Sequence, residues 1–318
     1  MVQFNPARVL LLDFLRVVAI SMVLFSHVSI TVGPPWNQLN QFFVGVRGFF
    51  YWTTWGEIGV TIFLIISGLS LEYTYGEKEY SFTSFYIRRI IRIYPIYYLS
   101  LLLGLGVHIA FGLWGNLHYG EPFIVLPGFG FDDLLLALSG LNAFAGKWGG
   151  PLVWTSWFIG LVMVSYIFYP GISYGVKKYP WGTLFFLFFI SLASRFVIER
   201  SNILSGNPKE WFPLNRIFEF GLGIYLVKVL KKDFLLRFNK ILRHFPFLSF
   251  FSAISFPLFL MHDPLRRLIV FGPRNTISLM TGISIFLLLS IIISKITLFM
   301  DRKIQTSLKS RFHLATVS

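Results

Sequence analysis

Three ionisable residues, Asp13, Arg16 and His27, interrupt an otherwise apolar block near the start of the chain. Inside a membrane span an ionisable side chain costs about 2.5–3.5 kcal/mol, so each of them needs a reason. In a helix, Arg16 and His27 project from the same face and lie ~16 Å apart along the axis. We expect the carboxylate of Asp13, one turn earlier, to pair with the guanidinium. A neutral histidine on such a face is suited to act as a general base near neutral pH.

A second charged group lies in the run 85–95, Phe-Tyr-Ile-Arg-Arg-Ile-Ile-Arg-Ile-Tyr-Pro. Arg88 and Arg92 are four residues apart and share a helix face, with Arg89 beside them. Arginine binds phosphate in a bidentate manner, and coenzyme A carries phosphates in the cytoplasm. A plain positive anchor at the inner end of a span would explain the same residues. The pantetheine arm, ~17 Å long, would carry a thioester from this cluster toward His27.

A third set of polar and aromatic residues lies at the predicted outer ends of the apolar blocks. Aromatic faces beside carboxylates suit a sugar ring, although tryptophans at these positions also fit an interfacial belt. We assign to an acceptor or supporting site Glu57, Trp157, Arg216, Glu219 and His262, with Trp154 and Asp263 close to them in the sequence.

Long apolar blocks must position all of these residues. Crossing a hydrocarbon core of ~30 Å takes about 20 apolar residues, and lipid offers no partner for unpaired backbone groups, so the blocks must be helices. The sequence therefore predicts an all-α integral membrane protein, a polytopic bundle of about eight and at most ten transmembrane helices, with residues 1–318 forming one domain. The predicted spans are Leu10–Ile30, Ile58–Tyr73, Ile93–Phe111, Trp154–Tyr169, Trp181–Ile198, Ile217–Leu230, Phe247–Met261 and Ser278–Phe299.

Composition agrees with a membrane protein. The 318 residues are 55% hydrophobic and 13% charged, whereas soluble domains carry about 25% charged residues. The net charge is +14, but the basic residues stand between apolar blocks, which indicates contact with anionic lipid headgroups rather than nucleic acid. The absence of cysteine excludes disulfides, thiolate chemistry and cysteine-bound metals. Asp13 and Arg16 interrupt the first block, so we interpret it as a retained span and not a signal peptide.

The distribution of basic residues predicts the topology. Segment 131–144 is short and contains Ser139, Gly140 and Asn142, so we interpret it as a re-entrant or interfacial helix. Downstream of it, the inner side then holds thirteen basic residues: Lys177, Lys178, Lys228, Lys231, Lys232, Arg237, Lys240, Arg243, Lys295, Arg302, Lys303, Lys309 and Arg311. The outer side holds eight: Lys147, Arg195, Arg200, Lys209, Arg216, Arg266, Arg267 and Arg274. The positive-inside rule then favours eight spans with both termini in the cytoplasm. We expect the protein to be a multi-pass protein of the plasma membrane.

Five stretches, taken in order, resemble signatures of the acyltransferase-3 family and span most of the chain. The first is Leu12-Asp-Phe-Leu-Arg16 followed by Ser26-His27, an arginine and a histidine with ten residues between them. The others are Gly59-Val-Thr-Ile-Phe-Leu-Ile-Ile-Ser-Gly68, the arginine run 85–95, Arg216-Ile-Phe-Glu-Phe-Gly-Leu-Gly223 and Ile254-Ser-Phe-Pro-Leu-Phe-Leu-Met-His-Asp-Pro264.

The resemblance implies a membrane acyltransferase that moves an acyl group, often acetyl from acetyl-CoA, onto envelope glycans, lipid-linked sugars or small hydroxylated molecules. It also implies catalytic roles for Arg16 and His27 and donor handling by the arginine cluster. Two features depart from the family. Val162 and Met163 stand where many members carry two glutamates of a middle-helix pattern, although Trp157 fits it. The short basic connection Lys231–Arg243 leaves no room for one of the ten spans of many members.

The residues and the resemblance together favour an O-acyltransferase with acyl-CoA as co-substrate, a carbohydrate or lipid-linked acceptor and no metal. His27 would remove the proton of an acceptor hydroxyl, directly or through water, or would form an acyl-histidine intermediate. Arg16, oriented by Asp13, would stabilise the oxyanion or bind donor phosphate. The alternative is a transporter or flippase for a lipid-linked or anionic substrate, in which the same charges line a pathway.

Overall fold

The computed structural model describes residues 10–40, 54–119, 131–142, 152–201, 212–230, 232–270 and 276–312. Within these ranges the chain is helical and contains no β-strand. The α-helices are α1 (Leu10–Val32), α2 (Trp36–Leu39), α3 (Trp55–Tyr75), α4 (Phe82–Tyr119), α5 (Phe131–Ser139), α6 (Trp157–Lys178), α7 (Pro180–Ser201), α8 (Ile217–Val229), α9 (Lys232–Leu242), α10 (Leu248–Leu265) and α11 (Thr276–Arg311). Short 3-10 helices are Trp154–Ser156, Pro213–Arg216 and Arg266–Val270.

Seven of the described helices are long and apolar enough to cross a membrane: α1, α3, α4, α6, α7, α10 and α11. The all-α polytopic fold predicted from the sequence is therefore confirmed. The remaining predicted span, Ile217–Leu230, corresponds to α8, which has 13 residues and is ~20 Å long. This short helix packs against three longer helices, α3, α6 and α7.

Helix α4 is much longer than the apolar block from which we predicted it. It has 38 residues, or ~57 Å, and begins at Phe82 rather than at Ile93. The arginine run therefore lies in its first turns and continues directly into the span. Pro95 is inside this helix, which is tolerated in membrane helices because neighbouring groups satisfy the freed backbone carbonyl.

Helix α5 lies in the segment that we interpreted as re-entrant or interfacial. Its nine residues extend ~14 Å, about half of a hydrocarbon core. The hydroxyl of Tyr94 donates to the carbonyl of Ser139 at 2.7 Å, and that of Tyr97 donates to the carbonyl of Ala137. These bonds satisfy carbonyls at the end of α5 and hold it against α4. The rest of the predicted segment, residues 143–144, lies outside the described residues.

The basic connection after α8 is a second short helix, α9. It has 11 residues, with Leu235 and Leu242 buried and Arg237 and Lys240 on its more exposed sides. Asn239 accepts a hydrogen bond from the backbone N–H of Leu10 at 3.0 Å, which joins α9 to the start of α1. An amphipathic helix at this position fits a location in the membrane interface.

Two glycines let α3 and α8 approach backbone to backbone. A Cβ on Gly68 would lie 2.1 Å from the carbonyl oxygen of Phe220, and one on Gly223 would lie 2.1 Å from that of Ile65. Small residues at helix contacts are a main source of helix association in membranes, because lipid removes the hydrophobic driving force. The glycines of two stretches that resemble the acyltransferase-3 family therefore pack against each other's helices.

Substituting Gly68 tests this contact. We expect Gly68→Ala to lower the free energy of unfolding by about 1–3 kcal/mol, because the backbone of α8 must move to admit the methyl group. Gly106→Ala in α4 is the matched control, since no atom lies within 4 Å of its Cβ position, and it should be neutral or stabilising. Thermal unfolding midpoints of both variants in detergent decide the matter. Equal midpoints would contradict the close α3–α8 contact.

Side-chain interactions show that α1 begins and α11 ends at the same end of the bundle. Asp301 of α11 interacts electrostatically with Arg92 of α4, and Arg92 with Arg16 of α1. We call this the Arg16 end and the opposite one the His27 end. Asp301 itself is buried and its carboxylate accepts a hydrogen bond from Gln305 at 2.7 Å.

The positive-inside rule predicts that the Arg16 end faces the cytoplasm. A cysteine added after Ser318 of this cysteine-free chain should react with a membrane-impermeant maleimide only after the cells are permeabilised. A cysteine replacing Lys147, outside the described residues and on the predicted outer side, is the opposite control. Labelling of the C-terminal cysteine in intact cells would reverse the topology and move the donor site outside.

Candidate active site

At the His27 end, α1 and α10 bring two histidines together. The Nδ1 atom of His27 lies 2.6 Å from Nε2 of His262, and the two rings stack with centroids 4.9 Å apart. The other ring nitrogen of His262, Nδ1, lies 2.9 Å from the carbonyl oxygen of Leu258. Two imidazoles and one backbone carbonyl thus form a short hydrogen-bonded chain.

The carbonyl at the end of this chain determines where the protons are. A carbonyl oxygen only accepts, so Nδ1 of His262 carries a proton and donates it to Leu258. In neutral His262 the Nε2 atom is then an acceptor, so the hydrogen bond between the rings comes from Nδ1–H of His27. The Nε2 atom of His27 consequently keeps its lone pair, which is the atom that a general base uses.

Burial distinguishes the two histidines. His262 is completely buried, with 0% of its surface exposed, whereas His27 is only partly buried. Thr31, one turn further along α1, donates its hydroxyl to the carbonyl of His27 at 2.6 Å. His27 is therefore the histidine that a substrate can reach, and His262 is the one that orients it.

A carboxylate beside His262 anchors the neighbouring backbone. Asp263 accepts a hydrogen bond from the backbone N–H of Trp154 and pairs with Arg266 at 2.8 Å. The positive charge of Arg266 acts on both His27 and His262. Asp263, Trp154 and Arg266 border a cavity of 280 Å³, which we call the Trp154 cavity.

Arg16 lies at the other end of α1, ~16 Å from His27 along the helix axis. Its guanidinium contacts Asp13 at 3.2 Å and the hydroxyl of Ser70 at 3.3 Å. Asp13 also accepts a hydrogen bond from Ser252 of α10 at 2.5 Å. The predicted Asp13–Arg16 pair is therefore present, and it joins α1 to α3 and α10.

Arg16 ends a row of four arginines, with Arg88, Arg89 and Arg92, which we call the arginine row. Arg89 donates to the hydroxyl of Tyr75 at 2.9 Å, and its guanidinium lies 5.9 Å from the centre of the Tyr166 ring. Arg92 is repelled electrostatically by the positive charges of Arg89 and Arg16. Cations that repel one another in this way provide a site for an anion.

The arginine row begins at a second cavity, of 230 Å³, which we call the Arg88 cavity. It combines cationic, hydroxyl and aromatic side chains, the groups that bind phosphates and a nucleotide base. The lining also includes one carboxylate, and its residues are Tyr75, Lys78, Glu79, Tyr80, Ser81, Ser84, Phe85 and Arg88. Tyr75 belongs to this lining and also binds Arg89, so the cavity and the row are continuous.

Comparison with known families identifies the family of the chain. The family model Acyl_transf_3, described as an acyltransferase domain, matches residues 9–308. The chain belongs to the acyltransferase-3 family. No curated protein and no solved structure matches it. The resemblance inferred from the five sequence stretches is thus confirmed, and the protein is a multi-pass membrane acyltransferase.

Three residues that we assigned to the acceptor site of this acyltransferase, Glu57, Arg216 and Glu219, lie buried between α3 and α8. Arg216 is 1% exposed and contacts Glu219 at 3.3 Å, the hydroxyl of Thr61 at 2.5 Å and the carbonyl of Glu57 at 3.4 Å. Arg195 of α7 also interacts electrostatically with Glu219. Arg216 and Glu219 are thus paired inside the bundle, where the contacts of Arg216 join α3 to α8, and this favours a structural role.

The remaining residues of the predicted acceptor set, His262 and Trp157, make different contacts. His262 pairs with His27, and Trp157 packs edge-on against Phe158 with ring centres 6.0 Å apart. Trp154, its neighbour in the 3-10 turn, is 52% exposed and borders the Trp154 cavity. Trp154, and not Trp157, is therefore the tryptophan that lines this cavity.

Three residues at these sites were not predicted from the sequence. Asp301 could have been found by the same argument that identified Asp13, since it is an ionisable group next to an apolar block. Tyr166, which accepts a hydrogen bond from Ser67 at 3.0 Å and lies beside Arg89, carries no charge to attract notice. His108 of α4 borders the Trp154 cavity, and no sequence pattern connects it with His27.

Proposed function

We propose that this acyltransferase moves an acyl group, acetyl in the first instance, from cytoplasmic acyl-CoA to a hydroxyl group of an envelope glycan, a lipid-linked sugar or another small acceptor. The observation that carries the proposal is the hydrogen-bonded chain from Leu258 through His262, which leaves Nε2 of His27 free to take a proton. The arginine row, at the Arg16 end of the bundle, would bind the acyl-CoA donor.

The donor would bind at the Arg16 end. Phosphates of acyl-CoA fit the cationic and hydroxyl groups of the Arg88 cavity, with the adenine against Tyr75 or Tyr80. The pantetheine arm, ~17 Å when extended, would follow the arginine row into the bundle. That length matches the ~16 Å between Arg16 and His27, so a donor held by the row can present its thioester to His27.

The chemical step needs one base and no change in oxidation state. The Nε2 atom of His27 takes the proton of the acceptor hydroxyl, and the oxygen attacks the thioester carbonyl. A carbon–oxygen bond forms, the carbon–sulfur bond breaks, and the coenzyme A thiolate leaves. The imidazolium then returns the proton to the thiolate, which gives free coenzyme A and the ester. An acyl group carried by Nε2 itself is the covalent form of the same transfer.

The geometry supports a donor role for Arg16. An arginine that stabilises the oxyanion must lie within hydrogen-bond reach of the carbonyl under attack. Arg16 is ~16 Å from His27 along α1, held by Asp13 and Ser70 at the other end of the helix. Of the two roles that we considered, binding of the donor is therefore the one we propose, with Asp13 positioning the guanidinium.

Reconstitution tests the function directly. Purified protein in liposomes, given acetyl-CoA with a radiolabelled acetyl group outside and a membrane glycan extract, should transfer label to the glycan and release free coenzyme A in equal amounts. Alkaline hydroxylamine should remove the label from the product if it is an ester. Label that accumulates inside the liposomes without any acylated product would contradict transfer and support the transporter alternative.

A further inference from the structure

The Trp154 cavity lies one helical turn beyond the catalytic histidine pair. It is formed by α1, α4, the turn before α6 and the end of α10, and its lining includes Thr31, His108, Trp154, Asp263, Arg266 and Arg267. Thr31 is bonded to the carbonyl of His27, and Asp263 follows His262 in the chain. His27 does not line the cavity, so a molecule bound there would have to extend one helical turn, ~5.4 Å, to bring a hydroxyl to Nε2 of His27.

The cavity has more positive than negative charge. Among the described residues that line it are two arginines, Arg266 and Arg267, and one carboxylate, that of Asp263. Asp263 already accepts the N–H of Trp154 and pairs with Arg266. Within the described residues, Nε of Arg266 and Nδ1 of His108 are buried without a hydrogen-bond partner, and Oδ1 of Asp263 has only its ion pair with Arg266. The Nε–H of Arg266 is a donor that a ligand or water must complete, and an anionic group at this position would do so.

One aromatic residue, Trp154, lines the cavity and is firmly held. It keeps 52% of its surface exposed, so a sugar in the cavity can contact its ring. Its backbone is bound to Asp263, and α4 passes so close that a Cβ on Gly104 would lie 2.3 Å from the carbonyl oxygen of Leu152. The volume of 280 Å³ is at the lower end for ligand sites and suits one sugar unit.

We propose that the Trp154 cavity binds an acceptor that carries a carboxylate or phosphate beside the hydroxyl to be acylated. The inference rests on the proposed function, which supplies the role of His27. An anion paired with Arg266 and Arg267 would hold the sugar against Trp154 and fix the position of its hydroxyl. It would also offset the positive charge that Arg266 exerts on both histidines, which favours the imidazolium formed as His27 takes the proton.

Binding of simple glycosides tests this proposal without any transfer reaction. Radiolabelled methyl galacturonide carries a carboxylate where methyl galactoside carries a neutral hydroxymethyl group. Galactose 1-phosphate tests a phosphorylated sugar, and inorganic phosphate serves as a competitor. Equilibrium dialysis of the full chain in phosphatidylcholine nanodiscs should show at least tenfold tighter binding of an anionic sugar than of the neutral one, as expected for charge-assisted hydrogen bonds. If inorganic phosphate competes with the bound sugar, the anionic group that the cavity recognises is a phosphate. If it does not compete, that group is a carboxylate.

Two arginine variants separate the cavity from general surface charge. Arg267→Gln should abolish most of the preference for the anionic sugar, because Arg267 is exposed and its loss leaves Asp263 paired with Arg266. Arg200→Gln is the matched control, because Arg200 is also an exposed arginine and lies in the last turn of α7. Each guanidinium lies over an aromatic ring: that of Arg200 is 4.4 Å from the centre of Phe196, and that of Arg267 is 5.9 Å from the centre of Phe111. This control should keep the preference, and thermal midpoints should be equal for both variants.

Several outcomes would overturn the proposal. Equal binding of charged and neutral sugars would remove it, as would a preference that survives Arg267→Gln. If nanodiscs with phosphatidylglycerol abolish the preference, the arginines contact anionic lipid headgroups and the acceptor inference fails. Because these measurements need neither acyl-CoA nor a functional His27, loss of the proposed function would leave them unchanged, and the two failures are distinguishable.

Discussion

Replacing His27 with glutamine should lower acyl transfer by about 10²–10⁴-fold, the usual effect of losing a general base. Glutamine still forms hydrogen bonds and can contact His262, but its amide cannot take up the proton of the acceptor. Binding of acetyl-CoA should stay within a factor of two of the wild type, since the arginine row lies ~16 Å away. The measurement is label transferred from acetyl-CoA to a glycan fraction, with the thermal midpoint as a check on folding.

Two further variants show whether this loss concerns the base itself. His118→Gln in α4 is the matched control, because His118 is an exposed histidine bonded to the carbonyl of Trp114, and it should keep full activity. His262→Gln should have an intermediate activity, since its amide can donate to Leu258 and accept from His27 but positions the ring less well. It should also shift the pH profile of transfer. Transfer near the wild-type level by His27→Gln would make His27 an interior residue without a catalytic role.

The double substitution of Arg88 and Arg92 by alanine should weaken acetyl-CoA binding more than tenfold while the protein remains inserted and stable. Each charge-assisted contact with a phosphate is worth about 1.5–3 kcal/mol, so the loss of two exceeds one factor of ten. The two residues act at different places, because Arg88 borders the Arg88 cavity and Arg92 lies next to Arg89 and Arg16. Titration of acetyl-CoA in detergent measures the change.

A double variant of equal charge controls for the anchoring interpretation. Arg302 and Lys303 are exposed on α11 at the Arg16 end, so their replacement by alanine removes two positive charges there and leaves the arginine row intact. It should bind acetyl-CoA normally. If the Arg88/Arg92 double variant also binds normally but accumulates poorly in the membrane, the arginines serve as an anchor and the donor site lies elsewhere.

The sequence alone determined the class of fold and the general chemistry. Apolar blocks of membrane-spanning length require helices, because lipid satisfies no backbone group, and this conclusion needs no knowledge of packing. The pairing of Asp13 with Arg16 and the shared face of Arg16 and His27 follow from helical periodicity within one element. Five ordered stretches were sufficient to identify the acyltransferase-3 family.

Only the tertiary structure decided which helices meet. His27 and His262 are 235 residues apart, and no periodicity within α1 or α10 predicts that their rings form a hydrogen bond. The same limit led us to place Arg216 at the acceptor site, because its charge was visible and its buried partner Thr61, on another helix, was not. Helical periodicity specifies the face on which a side chain lies, whereas the residue opposite it depends on how closely the helices approach, which here is set by contacts such as that of Gly68 with Phe220.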